Sequence, residues 1–239
     1  SSVGEGEIKM TAIFITSTGT DIGKTFVAAG LIRHLRRTGR AAAAIKPIVS
    51  GFDSRMAQSS DPGLLLAAMG RAATPEEIAN ISPWRFQAAL SPDFAARREG
   101  RSIDFSAVVE FSQRAIDANE TLFIEGVGGV MVPLDTRRTV LDWMTALRLP
   151  LILVVGSYLG TLSHSLTALH VLAQRNLSTA AVVVSETPDS PAPLDETVAA
   201  IARFADMIEV IGLPRLAPDA PEHPAFARLA ELLRNNFTE

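Results

Sequence analysis

The sequence predicts an α/β protein, a doubly wound, mostly parallel sheet with helices on both faces. Three observations lead there. Short apolar, β-favouring runs such as Ile13-Phe14-Ile15-Thr16 and Leu151-Ile152-Leu153-Val154-Val155 read as buried strands. These runs alternate with stretches of helical patterning, which implies parallel strands joined by crossover helices. The first run feeds a Gly/Thr turn, then Gly23-Lys24-Thr25, then the helix-like Phe26-Val27-Ala28-Ala29-Gly30-Leu31-Ile32. Strand, glycine-bearing loop and helix in that order is an arrangement that cradles phosphate.

The elements follow along the chain. A helix is expected from Gly23 to about Thr38, stopped by Gly39. Ala41 to Ile45 is a short second strand ended by Lys46-Pro47, because the residue before proline avoids helix. Pro47 to Ser60 reads as a loop, and Pro62 to Met69 as a short helix. Pro75, Pro83 and Pro92 break the region from Thr74 to Arg101 into short helices and turns. Helices are expected at Phe105–Asn119, Val140–Arg148, Thr161–Asn176, Leu194–Ala205 and Pro224–Asn235, and further strands at Thr121–Ile124, Leu151–Val155, Thr179–Val184 and Ile208–Leu213. With no repeat and no long linker, residues 10–239 are expected to form one domain. The polar residues 1–9 read as a leader or an expression remnant rather than a signal peptide.

The loop defines the chemistry. Backbone N–H groups at a helix start point at a polyphosphate, and the helix dipole favours its charge. Gly23 lets the backbone come close, Lys24 reaches the β- and γ-phosphates, and the Thr25 hydroxyl can ligate Mg²⁺. The fold is therefore expected to be of the P-loop NTPase type. One position departs from the common spacing, with Thr18 where the first glycine normally stands and Gly19 next to it.

Composition excludes several classes. A formal net charge of −4 gives no reason to expect nucleic acid or an anionic membrane as partner. The absence of cysteine rules out disulfides, thiolate metal sites and a cysteine nucleophile, and is consistent with a cytoplasmic protein. No apolar run reaches the ~20 residues that span a bilayer.

Four further stretches fall where such folds place ligands, at strand C-termini. Lys46 ends the second strand and can meet a phosphate, or be merely solvated. Ser60-Asp61 precedes a helix and by itself reads as an N-cap. Glu125 ends a buried strand ahead of Gly126-Val127-Gly128-Gly129, where an acid can hold Mg²⁺ beside a P-loop. Thr161, Leu162 and Ser163 begin a helix after Gly160, and its N–H groups can hold a carboxylate or simply be capped by their own hydroxyls.

Taken in order from Ile13 to about Pro214, the chain resembles the dethiobiotin synthetases. The pieces that carry the resemblance are Thr18 to Thr25, Lys46 to Gly51, Ser60-Asp61, Ser82 to Phe86, Ser91-Pro92 with Glu99-Gly100, Glu125 to Gly129, and Leu159 to His164. The resemblance implies a homodimer with substrate at its interface, using CO₂, Mg²⁺ and ATP to close 7,8-diaminopelargonic acid into a cyclic urea. It implies that Lys24, Lys46, Thr20 and Ser50 serve catalysis, and that Lys46, Ser50, Thr161, Leu162 and Ser163 bind substrate. Nucleotide would be bound by Gly19, Thr20, Asp21, Ile22, Gly23, Lys24, Thr25, Phe26, Glu125, Gly128, Ser185 and Pro214. Mg²⁺ would fall to Thr25, Asp61 and Glu125.

Some residues differ from the family pattern. Ser17 and Gly19 stand where many relatives have Gly and Asp, Asp93 replaces a common His, and Ser163 replaces an Asn beside the carboxylate. Ser185 replaces the Asn that usually reads adenine, so other nucleoside triphosphates are possible co-substrates. The rival from another class is a dimeric switch ATPase of the partition and septum-placement type. That group carries a signature lysine where this chain has Gly19. The corrinoid amidotransferases need a glutaminase cysteine, which is missing here. A non-catalytic regulatory domain is disfavoured by the complete set of lysines, acids and glycines.

Overall fold

The structure, a computed structural model, describes residues 11–216 and 222–235. The leader expected at residues 1–9 lies outside them. Nine helices and eight strands alternate among the described residues: β1 (Thr11–Ser17), α1 (Lys24–Arg37), β2 (Ala43–Ile45), β3 (Ile48–Ser50), α2 (Asp61–Ala68), α3 (Pro75–Ile81), β4 (Trp84–Phe86), α4 (Pro92–Arg98), α5 (Phe105–Asp117), β5 (Thr121–Glu125), α6 (Val140–Leu147), β6 (Leu151–Gly156), α7 (Thr161–Gln174), β7 (Thr179–Ser185), α8 (Leu194–Ala202), β8 (Glu209–Leu213) and α9 (Pro224–Asn235).

Six strands form one sheet in the order β2-β5-β1-β6-β7-β8, every neighbouring pair parallel. The chain leaves β1 to one side, builds β2 and β5, then crosses to β6 on the other side. The order therefore reverses at β1, and the crevice outside its C-terminal end is the ligand position of such sheets. Burial explains the apolar runs. Ile13, Phe14 and Ile15 are fully buried, as is all of β6, because helices cover both faces. The Phe14 ring meets Trp143 edge-on at 4.8 Å, and the indole N–H donates to Ser112 Oγ at 3.1 Å.

Expectation and structure part company at the loop Pro47–Ser60. It contains β3 and a 3-10 turn at Ser54–Ser59, and β3 pairs in parallel with β4 as a separate two-stranded sheet. The region expected as short helices and turns thus also supplies a strand. The other elements lie within a few residues of expectation.

Helix α9 lies along α1, the helix that starts at the phosphate loop. Gly30 makes that approach possible, because a Cβ there would stand 2.2 Å from the Phe226 ring. Gly30→Ala is expected to cost about 1–3 kcal/mol through overpacking, measured by urea unfolding. Phe226→Leu in the same chain should return part of that loss. An unchanged midpoint in the single variant would mean the ring swings aside freely.

Candidate active site

The phosphate loop spans Thr18 to Gly23 between β1 and α1. Gly23 has φ 109° and caps α1 without a side-chain hydrogen bond, and Asp21 also takes a left-handed backbone with φ 56°. A left-handed Gly23 turns the loop so that the first amides of α1 face outward, unoccupied by any capping side chain. The glycine-rich stretch after β5 packs on this loop. A Cβ at Gly129 would stand 3.1 Å from the Thr18 carbonyl, and the Gly128 carbonyl accepts from Ser17 Oγ at 3.1 Å.

Lys24 is buried, and its Nζ donates to Ser17 Oγ and to the Gly19 carbonyl, both at 3.1 Å. In the sequence Ser17 stands out only as a departure from the family pattern, with no site role, since a serine at a strand end carries no signature. Burial, and next the like charge of Lys46, push the Lys24 amine down to about 8.

The two acids and the second lysine meet beside it. Lys46 Nζ donates to Glu125 Oε1 at 2.6 Å and also to Asp61. Burial opposes the Lys46 charge, but the attraction and hydrogen bonds of Glu125 and Asp61 together hold its pKa above the ordinary lysine value. For Asp61, burial acts against the carboxylate, and Lys46, helped by the Thr25 hydroxyl, more than offsets it, so its pKa is lowered. Thr25 Oγ1 donates to Glu125 Oε1 at 2.7 Å. Ser60 is the N-cap of α2, accepting from the Gly63 N–H at 3.3 Å. Asp61, the first residue of that helix, is thereby left to face Lys46. The cap expected at Ser60-Asp61 is thus made by Ser60, while Asp61 is brought to Lys46.

The remaining expected residues are dispersed around this cluster. Thr20 is exposed and Ile22 half-buried in the loop, and Phe26 is 37% exposed on α1, its ring 6.1 Å from Phe226. Ser50 ends β3 with a buried Oγ that has no hydrogen-bond partner among the described residues. Ser185 ends β7 against the phosphate loop, its Oγ 2.7 Å from where a Cβ on Gly23 would be. Pro214 follows β8, where the Glu186 N–H donates to the Leu213 carbonyl and the Arg215 N–H to Glu186 Oε2 at 2.8 Å. Glu186, Arg215 and the chain Thr187 to Pro193 line a cavity of about 560 Å³ there.

At α7, Thr161 turns its hydroxyl inward to the Gly156 carbonyl at 2.6 Å, and its N–H donates to the Tyr158 carbonyl at 3.0 Å. Leu162 and Ser163 are exposed, and no side chain caps the helix. The adjacent Tyr158 hydroxyl sits 2.9 Å from His164 Nδ1 and 3.5 Å from Thr18 Oγ1, joining α7 to the phosphate loop.

Thr25, Asp61 and Glu125 offer hard oxygen donors, and Glu125 Oε2 is buried without a partner among the described residues. No group of three or more His, Cys, Asp or Glu side chains able to hold a metal occurs among the described residues. Few protein oxygens plus water and phosphate is the coordination Mg²⁺ prefers, so the donor set fits that ion.

The Lys24 shift gives a pH expectation. Below pH 8 its charge disfavours the folded state. Between about 8 and the ordinary 10.5 the folded protein sheds the proton first, so this group's contribution to stability rises with pH. A bound polyphosphate reverses the pull. Nucleotide binding at pH 8.5 should take up about three-quarters of a proton, and affinity should fall as pH rises further. Calorimetry in two buffers of different ionisation enthalpy measures this, and equal heats in both would contradict it.

A model of the AAA domain family matches residues 11–219. The ATP-dependent dethiobiotin synthetase BioD of Methylobacterium nodulans is 48% identical over 202 residues, 82% of this chain and 90% of that protein. That of Caulobacter vibrioides is 44% identical over 208 residues, 86% of this chain and 93% of that protein. The cell division ATPase MinD of Pyrococcus furiosus superposes with a TM-score of 0.60 at 18% identity, over 95% of this chain and 100% of that one, which bears on the fold alone. On the strength of the sequence relatives, the chain belongs to the dethiobiotin synthetase family.

Proposed function

We propose that this chain forms dethiobiotin from 7,8-diaminopelargonic acid, CO₂ and ATP, as an ATP-dependent cyclo-ligase. The observation that carries the reading is the convergence of Lys24, Thr25, Lys46, Asp61 and Glu125 at the C-terminal ends of β1, β2 and β5. An amine of the substrate takes CO₂ and loses a proton to become a carbamate. A carbamate oxygen attacks the γ-phosphate and ADP leaves. The second amine then attacks the carbamoyl carbon and phosphate leaves with the C–O electron pair.

The chemistry needs no protein nucleophile. It needs charge neutralised and atoms aligned. Lys24 and the first amides of α1 face the phosphates. Lys46, held between two carboxylates, is the cation poised for the carbamate and γ-phosphate oxygens. Ser50 Oγ and Thr20 supply hydroxyls for the reacting amines and phosphate, and the unpartnered Ser50 Oγ supports that role. Asp21, Ile22, Gly19 and Gly128 frame the phosphates. Thr25, Asp61 and Glu125 would hold Mg²⁺, which neutralises phosphate charge when bound.

The open start of α7 at Leu162 and Ser163 is assigned to the substrate carboxylate, contributed across a homodimer interface. Leu159 at 86% exposure and Leu162 at 43%, flanking that helix start, support a subunit contact. The cavity beside Ser185 and Pro214 is assigned to the base. One domain, residues 10–239, and a cytoplasmic location complete the reading. No helix among the described residues is long and apolar enough to cross a membrane.

The test is phosphate release from purified protein with MgATP and bicarbonate, with and without the diamine, following by mass the product that has gained CO₂ and lost water. Release that ignores the diamine would favour a switch ATPase. Because Ser185 offers one short hydroxyl where an amide would read adenine, CTP and GTP should support turnover within about tenfold of ATP, the scale of one hydrogen bond. Strict ATP dependence would place base reading elsewhere.

A further inference from the structure

Away from the phosphate loop, the small sheet of β3 and β4 borders a cavity of about 670 Å³ whose lining includes Phe52, Arg55, Arg85, Phe86, Glu99 and Arg101. Its guanidinium groups are fixed in place. Arg101 lies over the Phe86 ring, 4.6 Å from the centroid, and its Nη1 donates to the Arg85 carbonyl at 2.8 Å. Arg85 lies over the Phe52 ring at 5.6 Å and donates to the Ser82 carbonyl. Stacking and carbonyl bonds use part of each fork and leave further N–H donors.

Charge in the cavity is compensated incompletely. Glu99 is committed to Arg101 at 3.1 Å and to the Gln87 N–H at 2.7 Å, and Asp53 is committed to Arg55 at 2.7 Å. Among the described residues no carboxylate pairs with Arg85. Partial burial, and then the like charge of Arg101, lower its pKa below the ordinary arginine value. Of the two neighbouring arginines only Arg101 has a carboxylate partner, and the space beside them is large enough for a small molecule.

We propose that this cavity binds a small oxyanion of two or more negative charges, a phosphate or a polycarboxylate, gripped by Arg85 and Arg101 with Arg55 at the rim. Planar forks held beside an open volume suit paired oxygens of that kind. Phe52 and Asp53 lie on the segment that runs from Ser50 to Asp61, so a bound anion also fixes the chain between two residues of the phosphate end.

The test is calorimetry on the full chain, with the phosphate loop saturated by Mg²⁺ and a non-hydrolysable ATP analogue. Inorganic phosphate, pyrophosphate and citrate are titrated separately. One equivalent of anion is expected to bind. Arg85→Gln and Gln87→Glu should each weaken it by about tenfold or more, the scale of a charge-assisted hydrogen bond, with Arg85→Lys between. Diamine-dependent turnover without added anion should stay within about twofold in all three. Binding of the phosphates but not citrate identifies a phosphate source, and the reverse a carboxylate source. No binding with the loop filled, or equal affinity in both variants, overturns the proposal. Should Arg85→Gln fail to fold, Gln87→Glu decides, because an exposed side chain there adds only charge.

Discussion

Lys24→Ala is expected to lower diamine-dependent phosphate release by at least about 10³-fold, on the scale of losing a preorganised charge at a developing transition state, and to leave the protein as stable as before. Both halves follow from one geometry. The Lys24 ammonium is buried, repelled by Lys46, and held by only a serine hydroxyl and a carbonyl at 3.1 Å. Such a charge is a burden on the empty protein, visible in its amine being pushed down to about 8. Its return comes when phosphate oxygens fill the loop. Thermal unfolding without ligand should therefore show a midpoint equal to or above that of the parent, while nucleotide no longer raises it. A variant that unfolds early would mean that Lys24 ties Ser17 and Gly19 together as a structural strut. Near-normal turnover would remove the lysine from the phosphates altogether.

The difference between legible and hidden parts of this site is one of range. Gly23, Lys24 and Thr25 are contiguous, and a strand and a helix flank them, so their placement can be read locally. Glu125 and Lys46 each end an apolar run, and a parallel sheet brings strand ends to one side whatever their order. Even so, nothing local says that Lys46 lies between Glu125 and Asp61. That follows from β2 pairing with β5 and from α2 starting just where Ser60 caps it. The β3–β4 pair escaped for a related reason. Each strand has three residues, bordered by Pro47 and Pro83, too short for any periodicity to register. Its register, Ile48 to Trp84 and Ser50 to Phe86, is set by a tertiary contact alone. The cavity lined by Arg85 and Arg101 hangs on that same pair, and was invisible for the same reason.

Lys46→Ala is expected to abolish turnover and also to destabilise the protein, by about 3–5 kcal/mol, since it strands a buried carboxylate without its partner. Glu125 has no exposed side-chain surface, and Lys46 is its only ion-pair partner among the described residues. The Thr25 hydroxyl remains on Oε1, but Oε2 has nothing. Asp61, with 46% of its side chain exposed, returns to water at little cost. The loss should appear as a midpoint lower by roughly 6–20 °C for a chain of this size. Adding Glu125→Gln removes the orphaned charge and should restore most of that stability, with no recovery of turnover. The double variant separates the two roles of Lys46, since folding needs its charge only while Glu125 carries one, whereas the reaction needs it at the phosphate. If the double variant is no more stable than Lys46→Ala, the stranded Glu125 charge is not the source of the loss, and Lys46 supports the fold through its packing instead.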